Sequence, residues 1–238
     1  MSVPRLLVTG PTHALPEYSN AARLANWEPV DYPLLEVIEC SLTEGLPFEG
    51  LPDRMILTSR NALGALDGLC AQIPELKTVP LDVVGEKTKQ LALERGFRVE
   101  GRAADGAATI ASRLSNTNTS RILWPRGSVS DRLGEELREQ GHDVFDPIVY
   151  ETRRIEQESP PPDAHAAFFA SPSAFRAWMA LEQARPADRT IAVAIGDTTA
   201  SAIQAERAVR FFDILSLPHP APEALTWRLE NLGYSPPD

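Results

Sequence analysis

The sequence contains an internal repeat in which three separate blocks of residues align. ILTSRNALGAL resembles FFASPSAFRAW, LDVVGEKTKQLALERG resembles IAVAIGDTTASAIQAER, and LLVTGP…EPVDYPLLE resembles ILWPRG…HDVFDPIVYE. The aligned pairs are Ser59 with Ser171, Gly85 with Gly196, and Pro33 with Pro147, which lie 112, 111 and 114 residues apart. Three blocks in nearly one register do not arise readily by chance, so the repeat predicts two similar lobes.

The order of the blocks predicts that one lobe is continuous in sequence and the other is not. Residues 36–149 contain one block of each type and are predicted to form lobe 2, while residues 1–35 and 150–238 form lobe 1. The chain then crosses twice between the lobes, near Tyr32–Glu36 and near Tyr150–Arg154. Two strands that cross side by side could form a short antiparallel ladder that acts as a hinge.

Six short apolar runs predict strands that are buried on both faces. They are continuously apolar rather than alternating, which is typical of parallel sheets covered by helices. The runs are residues 5–9, 54–58, 81–85, 121–125, 166–170 and 191–195. Segments with helical spacing lie between them, such as residues 88–97 and 131–141, the second with Gly141 as its C-cap. The alternation of strand and helix predicts an α/β fold with right-handed crossovers.

Composition and missing motifs disfavour several classes of protein. A net charge of −10 opposes a nucleic-acid partner. No apolar run approaches the roughly 18–20 residues of a membrane span, and the opening MSVPRLLVTGPTH is unlike a signal peptide, so we expect a cytoplasmic protein. The cysteines and histidines have no metal-ligand spacing, and neither a P-loop nor a GxGxxG motif is present. No metal site and no nucleotide cofactor are therefore predicted.

Small polar turns follow several predicted strands and begin helices. They are Thr58-Ser59, Gly85-Glu86-Lys87-Thr88, Ser171-Pro172-Ser173 and Gly196-Asp197-Thr198-Thr199, with Arg126-Gly127-Ser128 after a further strand. Helix N-termini at the carboxyl edge of a parallel sheet offer free backbone N–H groups to carboxylates, and arginine binds carboxylates bidentately. Ordinary helix capping and solvated surface arginines are the alternatives that the sequence leaves open.

Tyr150 ends the last strand of the predicted continuous lobe. A tyrosine at the crossing between lobes could donate a proton or a hydrogen bond to a leaving group. Packing between the lobes is the other interpretation. With no Ser/His/Asp or Cys/His constellation, the residues alone indicate a hinged two-lobe protein whose cleft suits anions.

The same residues resemble the uroporphyrinogen-III synthase family. The motifs LTSRNAL, VVGEKTKQLALERGF, ILWPRGSVSDRLGEELREQGHDV, VYET, FFASPSAF, AIGDTTASAI and HPAPEAL follow the family's order through nearly the whole chain. The resemblance implies two flavodoxin-like lobes, one of them discontinuous, joined by a two-stranded hinge ladder with the active site between them. It also implies a hydro-lyase that converts hydroxymethylbilane, a linear tetrapyrrole, into uroporphyrinogen III. Water is lost, ring D is inverted and no cofactor is used.

The resemblance further implies which residues form the site. Tyr150 matches the family's Y-x-T motif and is the candidate that assists departure of the hydroxyl group. The candidates for substrate binding are Thr9, Ser59, Thr88, Arg126, Gly127, Ser171, Ser173, Thr198 and Thr199. Two positions depart from the family pattern. Gly10 stands where the first-strand motif V-T-R-P commonly has arginine, and Asp197 stands where proline is usual.

The resemblance also suggests how the protein works in the cell. The substrate would be handed over from hydroxymethylbilane synthase to a monomeric enzyme of porphyrin biosynthesis, with neither nucleic acid nor membrane as a partner. The alternative is a non-catalytic tetrapyrrole- or anion-binding protein of the same fold.

Overall fold

The computed structural model describes residues 3–40, 42, 46–47, 49–115, 117–129, 132–181, 190–206 and 211–232. The strands are β1 (Arg5–Pro11), β2 (Glu28–Glu39), β3 (Arg54–Leu57), β4 (Leu81–Val83), β5 (Arg121–Leu123), β6 (Arg126–Gly127), β7 (Asp143–Phe145), β8 (Ile148–Arg154), β9 (Ala166–Phe169), β10 (Ile191–Ala194) and β11 (Asp213–Ser216). The α-helices are α1 (Leu15–Leu24), α2 (Leu63–Gln72), α3 (Glu86–Glu94), α4 (Ala107–Leu114), α5 (Leu133–Glu139), α6 (Pro172–Met179), α7 (Asp197–Ala205) and α8 (Pro222–Glu230). Among these helices, none is both long and apolar enough to span a membrane.

The chain divides into two compact units. Unit 1 comprises Met1–Glu36 and Arg153–Asp238, and unit 2 comprises Val37–Thr152. The two boundaries between the units fall inside β2 and β8. That these units act as the two functional lobes, with the sequence boundaries given above, stays a prediction.

Strands β2 and β8 are neighbours in the strand order and are bonded to each other within each unit. In unit 1, the Ile155 N–H donates to the Leu34 carbonyl at 3.0 Å, and in unit 2 the Cys40 N–H donates to the Val149 carbonyl at 2.9 Å. Residue numbers rise along one strand as they fall along the other, so the pairing is antiparallel. Whether this ladder acts as a hinge stays a prediction.

The two units have the same order of repeated strands. Unit 1 contains the order β11-β10-β9-β1-β2, and unit 2 contains β4-β3-β5-β7, with parallel pairing throughout these runs. In the repeat, β10, β9 and β1 correspond to β4, β3 and β5. Where unit 1 has β11, unit 2 has two isolated parallel bridges, which pair Leu81 with Val99 and Val84 with Ala104. The predicted fold of two similar parallel-sheet α/β lobes is confirmed.

Strands in both units are buried on both faces, as their continuous apolar runs predict. In β1, Leu6 packs in a cluster with α1 and α8, whereas Leu7 packs in a cluster with α6 and α7. In β3, Met55 belongs to a cluster with α2, whereas Ile56 belongs to one with α4 and α5. Because adjacent strand residues point to opposite faces, each sheet carries two hydrophobic cores.

The predicted elements are present, and their ends shift by a few residues. Strands β3, β4, β5, β9 and β10 end one or two residues before the predicted runs end. The helix expected at residues 88–97 is Glu86–Glu94, and Gly96 with φ +78° lies just beyond it. The helix expected at residues 131–141 is Leu133–Glu139, with Gly141 at φ +91° after it, as predicted. Residue 131 lies outside the described residues.

Candidate functional site

The predicted site residues of unit 2 follow the carboxyl ends of parallel strands. Ser59 comes after β3, and Thr88 lies in the first turn of α3, after β4. Arg126 and Gly127 form β6, after β5, and Tyr150 lies on β8, after β7. Because β3, β4, β5 and β7 are parallel, their carboxyl ends meet at one edge of the sheet. This is the edge at which α/β proteins bind ligands.

Tyr150 and Gly127 are in direct contact. They are Cα partners in the parallel pairing of β6 with β8, and the Ser128 N–H donates to the Tyr150 carbonyl at 3.0 Å. A Cβ atom at Gly127 would lie 2.6 Å from both Cε2 and Cζ of the Tyr150 ring, and 2.9 Å from its hydroxyl oxygen. The ring is half-buried and packs against the hydrophobic cluster that contains α2. Among the described residues, none forms a hydrogen bond with the Tyr150 hydroxyl.

The Arg126 side chain is held in place by hydrogen bonds to neighbouring residues of unit 2. Its Nε donates to Oδ2 of Asp146 at 2.8 Å, and its Nη1 donates to the Gly127 carbonyl at 3.1 Å. Arg138 donates to the other carboxylate oxygen of Asp146, so two guanidinium groups share one carboxylate and leave a net positive charge. The Arg126 guanidinium also lies 5.9 Å from the centroid of the Trp124 ring. Its Nη2 has no partner within the described part of the chain and is available to a ligand carboxylate.

Ser59 and Ser171 occupy corresponding places in the two units, and both cap helical turns. The Ser59 hydroxyl oxygen accepts a hydrogen bond from the Asn61 N–H at 3.2 Å, and that of Ser171 accepts one from the Ala174 N–H at 3.0 Å. The capping interpretation is therefore confirmed for both residues. Each hydroxyl group still has its own proton to donate to an acidic ligand.

The candidate threonines differ in exposure. Thr9 is 1% exposed and its hydroxyl donates to the Phe168 carbonyl at 2.7 Å, which joins β1 to β9. Thr199 and Thr88 are 2% and 8% exposed. These three side chains therefore offer a ligand little surface. Thr198 at the start of α7 is exposed, as is Ser173 at the start of α6.

A comparison with protein-family models gives the family of this chain. The model described as "Uroporphyrinogen-III synthase HemD" matches residues 16–210, a range that includes strands of both units. The chain belongs to the uroporphyrinogen-III synthase family.

Solved structures of family proteins have the same fold as this chain. A uroporphyrinogen-III synthetase from Helicobacter pylori is 20% identical, with a TM-score of 0.66 over 96% of this chain and 99% of that one. A mutant uroporphyrinogen III synthase from Thermus thermophilus is 16% identical, with a TM-score of 0.62 over 96% of this chain and 97% of that one. None of the curated protein sequences matches this chain significantly.

Both departures from the family pattern have a structural explanation in unit 1. Gly10 has φ +149°, and a Cβ atom there would lie 2.8 Å from Cβ of Ala170. An arginine would therefore need Ala170 to move. Asp197 is the first residue of α7, where a negative charge stabilises the helix dipole. Its Oδ1 accepts a hydrogen bond from the Ser216 hydroxyl at 2.7 Å.

Asp146 is a residue of the candidate site that is not among the candidates predicted from the sequence. It directly follows β7 at the same edge as Arg126, and it pairs with that arginine. Its position in the sequence could have indicated it. Asp146 is an acidic residue directly after a strand, and the candidate Arg126 stands at the end of the neighbouring strand. Within the described residues, no group of three or more His, Cys, Asp or Glu side chains is arranged to hold a metal ion.

Proposed function

We propose that this protein is a uroporphyrinogen-III synthase that cyclises hydroxymethylbilane to uroporphyrinogen III, with loss of water and inversion of ring D. The observation that carries the proposal is the family match over residues 16–210, which extends through both repeated units. The contacts of Tyr150 and Arg126 support it, because the Tyr150 ring lies against Gly127 and the preceding residue, Arg126, carries a guanidinium group that can bind a carboxylate.

In this proposal, Tyr150 assists departure of the hydroxyl group from ring A. Its phenol donates a proton to the leaving hydroxyl, which departs as water, so that ring A becomes a protonated azafulvene and Tyr150 becomes a phenolate. The substituted carbon of ring D attacks the azafulvene to give a spiro intermediate. The bond between the spiro carbon and the methylene bridge to ring C then breaks, and that methylene bonds to the unsubstituted α-carbon of ring D. The proton displaced from this carbon restores the phenol of Tyr150. The overall change is a dehydration and rearrangement without net oxidation, so the residues need supply only proton transfer and positioning.

Substrate binding is assigned to the carboxyl edges of the two sheets. Hydroxymethylbilane carries eight carboxylates, and Arg126 offers its Nη2, which has no partner among the described residues, to one of them. Ser59 and Ser171 can donate their hydroxyl protons. The exposed residues Ser173 and Thr198 lie in the first turns of α6 and α7, where backbone N–H groups and the helix dipole favour anions.

The buried candidates act differently in this proposal. The Thr88 and Thr199 side chains are buried, so their contribution comes through the backbone N–H groups of the helix starts. Thr9 supports the carboxyl end of β1 through its bond to β9. We further propose that the protein is a cytoplasmic monomer that receives its substrate from hydroxymethylbilane synthase.

The proposal is tested by incubating the purified protein with freshly made hydroxymethylbilane. The products are oxidised, and the type I and type III isomers are separated by chromatography. A synthase gives the type III isomer at a rate proportional to protein concentration. A protein that binds hydroxymethylbilane without raising the type III yield would instead be the non-catalytic tetrapyrrole binder.

A further inference from the structure

The pairing of β6 with β8 contains an irregularity at Arg126 and Gly127. Arg126 is the Cα partner of Ile148, whereas the next residue, Gly127, is the partner of Tyr150. The register therefore advances by two residues on β8 for one on β6, with Val149 as the extra residue. Such bulges redirect side chains next to functional sites. Here the shift places the Tyr150 ring over a residue that has no side chain.

The need for glycine at position 127 comes from this ring rather than from the backbone. Gly127 is absent from the glycines with positive φ, so its backbone conformation is open to other residues. A Cβ atom there would nevertheless lie 2.6 Å from two ring carbons of Tyr150, closer than side-chain atoms approach one another. Tyr150 cannot readily swing away, because its ring also packs against the hydrophobic cluster around α2.

We infer that Gly127 is a positioning residue for Tyr150. The missing side chain lets the ring pack directly against β6, so that the hydroxyl group is held at a fixed place. The function of Gly127 is then to set the position of the phenol rather than to bind substrate itself. This inference rests on the proposed function, because the hydroxyl being positioned is the one that assists loss of water.

The first test is the kinetics of Gly127→Ala. The added methyl group displaces the phenol, so we expect kcat to fall by about 10- to 100-fold while KM changes little, since misplacement by about 1 Å costs up to that much. Gly68→Ala in α2 is the matched control, because a Cβ atom there has no neighbour within 4 Å. It should retain the wild-type kcat.

The second test separates positioning from a direct contact with substrate. In a Tyr150→Phe background no hydroxyl remains to be misplaced, so Gly127→Ala should lower kcat no further. In a Tyr150→Ala background the ring is gone. Gly127→Ala should then no longer lower the midpoint of thermal unfolding, although it lowers that midpoint by several degrees in the wild-type protein.

Either of two results would overturn the inference. One is a wild-type kcat for Gly127→Ala, and the other is an equal fall in kcat with and without the Tyr150 hydroxyl. Both results can be obtained only if the wild-type protein makes uroporphyrinogen III. A wild-type protein that makes none overturns the proposed function instead, and the two failures are thereby distinguished.

Discussion

Replacing Tyr150 with phenylalanine removes one oxygen atom and leaves the ring in place. Within the described residues, the hydroxyl has no hydrogen-bond partner whose loss would destabilise the fold. The ring contacts with Gly127 and with the α2 cluster are retained. We therefore expect the free energy of unfolding to change by less than about 0.5 kcal/mol, as for substitutions that remove no structural contact.

The rate should change far more than the stability. General-acid assistance contributes about 10²–10⁴-fold to a rate. Substrate folding and carboxylate binding survive in Tyr150→Phe, so we expect a loss near the lower end of that range. A 10²-fold loss corresponds to about 2.7 kcal/mol of activation free energy. The rate constant for formation of the type III isomer is measured in single-turnover experiments, and circular dichroism verifies the fold.

Tyr32→Phe is the matched control and should show the opposite pattern. Tyr32 is buried in unit 1, burial raises the pKa of its phenol, and its hydroxyl donates to the Ser159 carbonyl at 2.7 Å. Losing that bond should cost about 1 kcal/mol of stability and leave the rate unchanged. If Tyr150→Phe formed product at the wild-type rate, Tyr150 would be a packing residue, and loss of water would depend on substrate carboxylates or solvent.

Three further predictions concern charge, acid and the helix starts. Arg126→Ala should weaken tetrapyrrole binding, and the dissociation constant of this variant should rise less on addition of salt than that of the wild type. Equal salt dependence in the two proteins would argue against an electrostatic contact. Hydrogen bonds from Arg121 lower the pKa of Asp53 from 3.8 to about 2, so this pair stabilises the fold fully above pH 4, and the stabilisation is lost as the pH falls through 2. Asp53→Asn should therefore reduce stability at pH 7, but only slightly because both side chains are more than a third exposed, and the difference from wild type in urea unfolding should vanish below pH 2. Thr88→Ala and Thr199→Ala should each lower kcat less than Tyr150→Phe does, because the backbone N–H groups remain. A larger loss of kcat in either variant would indicate that the threonine hydroxyl itself takes part in the reaction.

The sequence alone predicts the strands, their parallel pairing and the doubling of the fold. These features depend on local patterns, because a strand covered on both faces must be apolar at consecutive positions, as Leu6 and Leu7 show. Because the repeat aligns the strands of the two units, the strand order of one unit predicts that of the other. Ser59 and Ser171 could likewise be recognised as helix caps, since a cap bonds to an N–H group only two or three residues away.

The arrangement of the site was decided by tertiary structure. Gly127 meets Tyr150 because of an irregular register between two strands, and Arg126 shares Asp146 with Arg138 because β5 and β7 are neighbours in the sheet. Thr9 resembles an accessible polar residue in the sequence, yet its hydroxyl is buried against β9. These contacts join residues up to 159 positions apart in the chain. Their geometry follows from strand pairing and packing, which no short sequence pattern encodes.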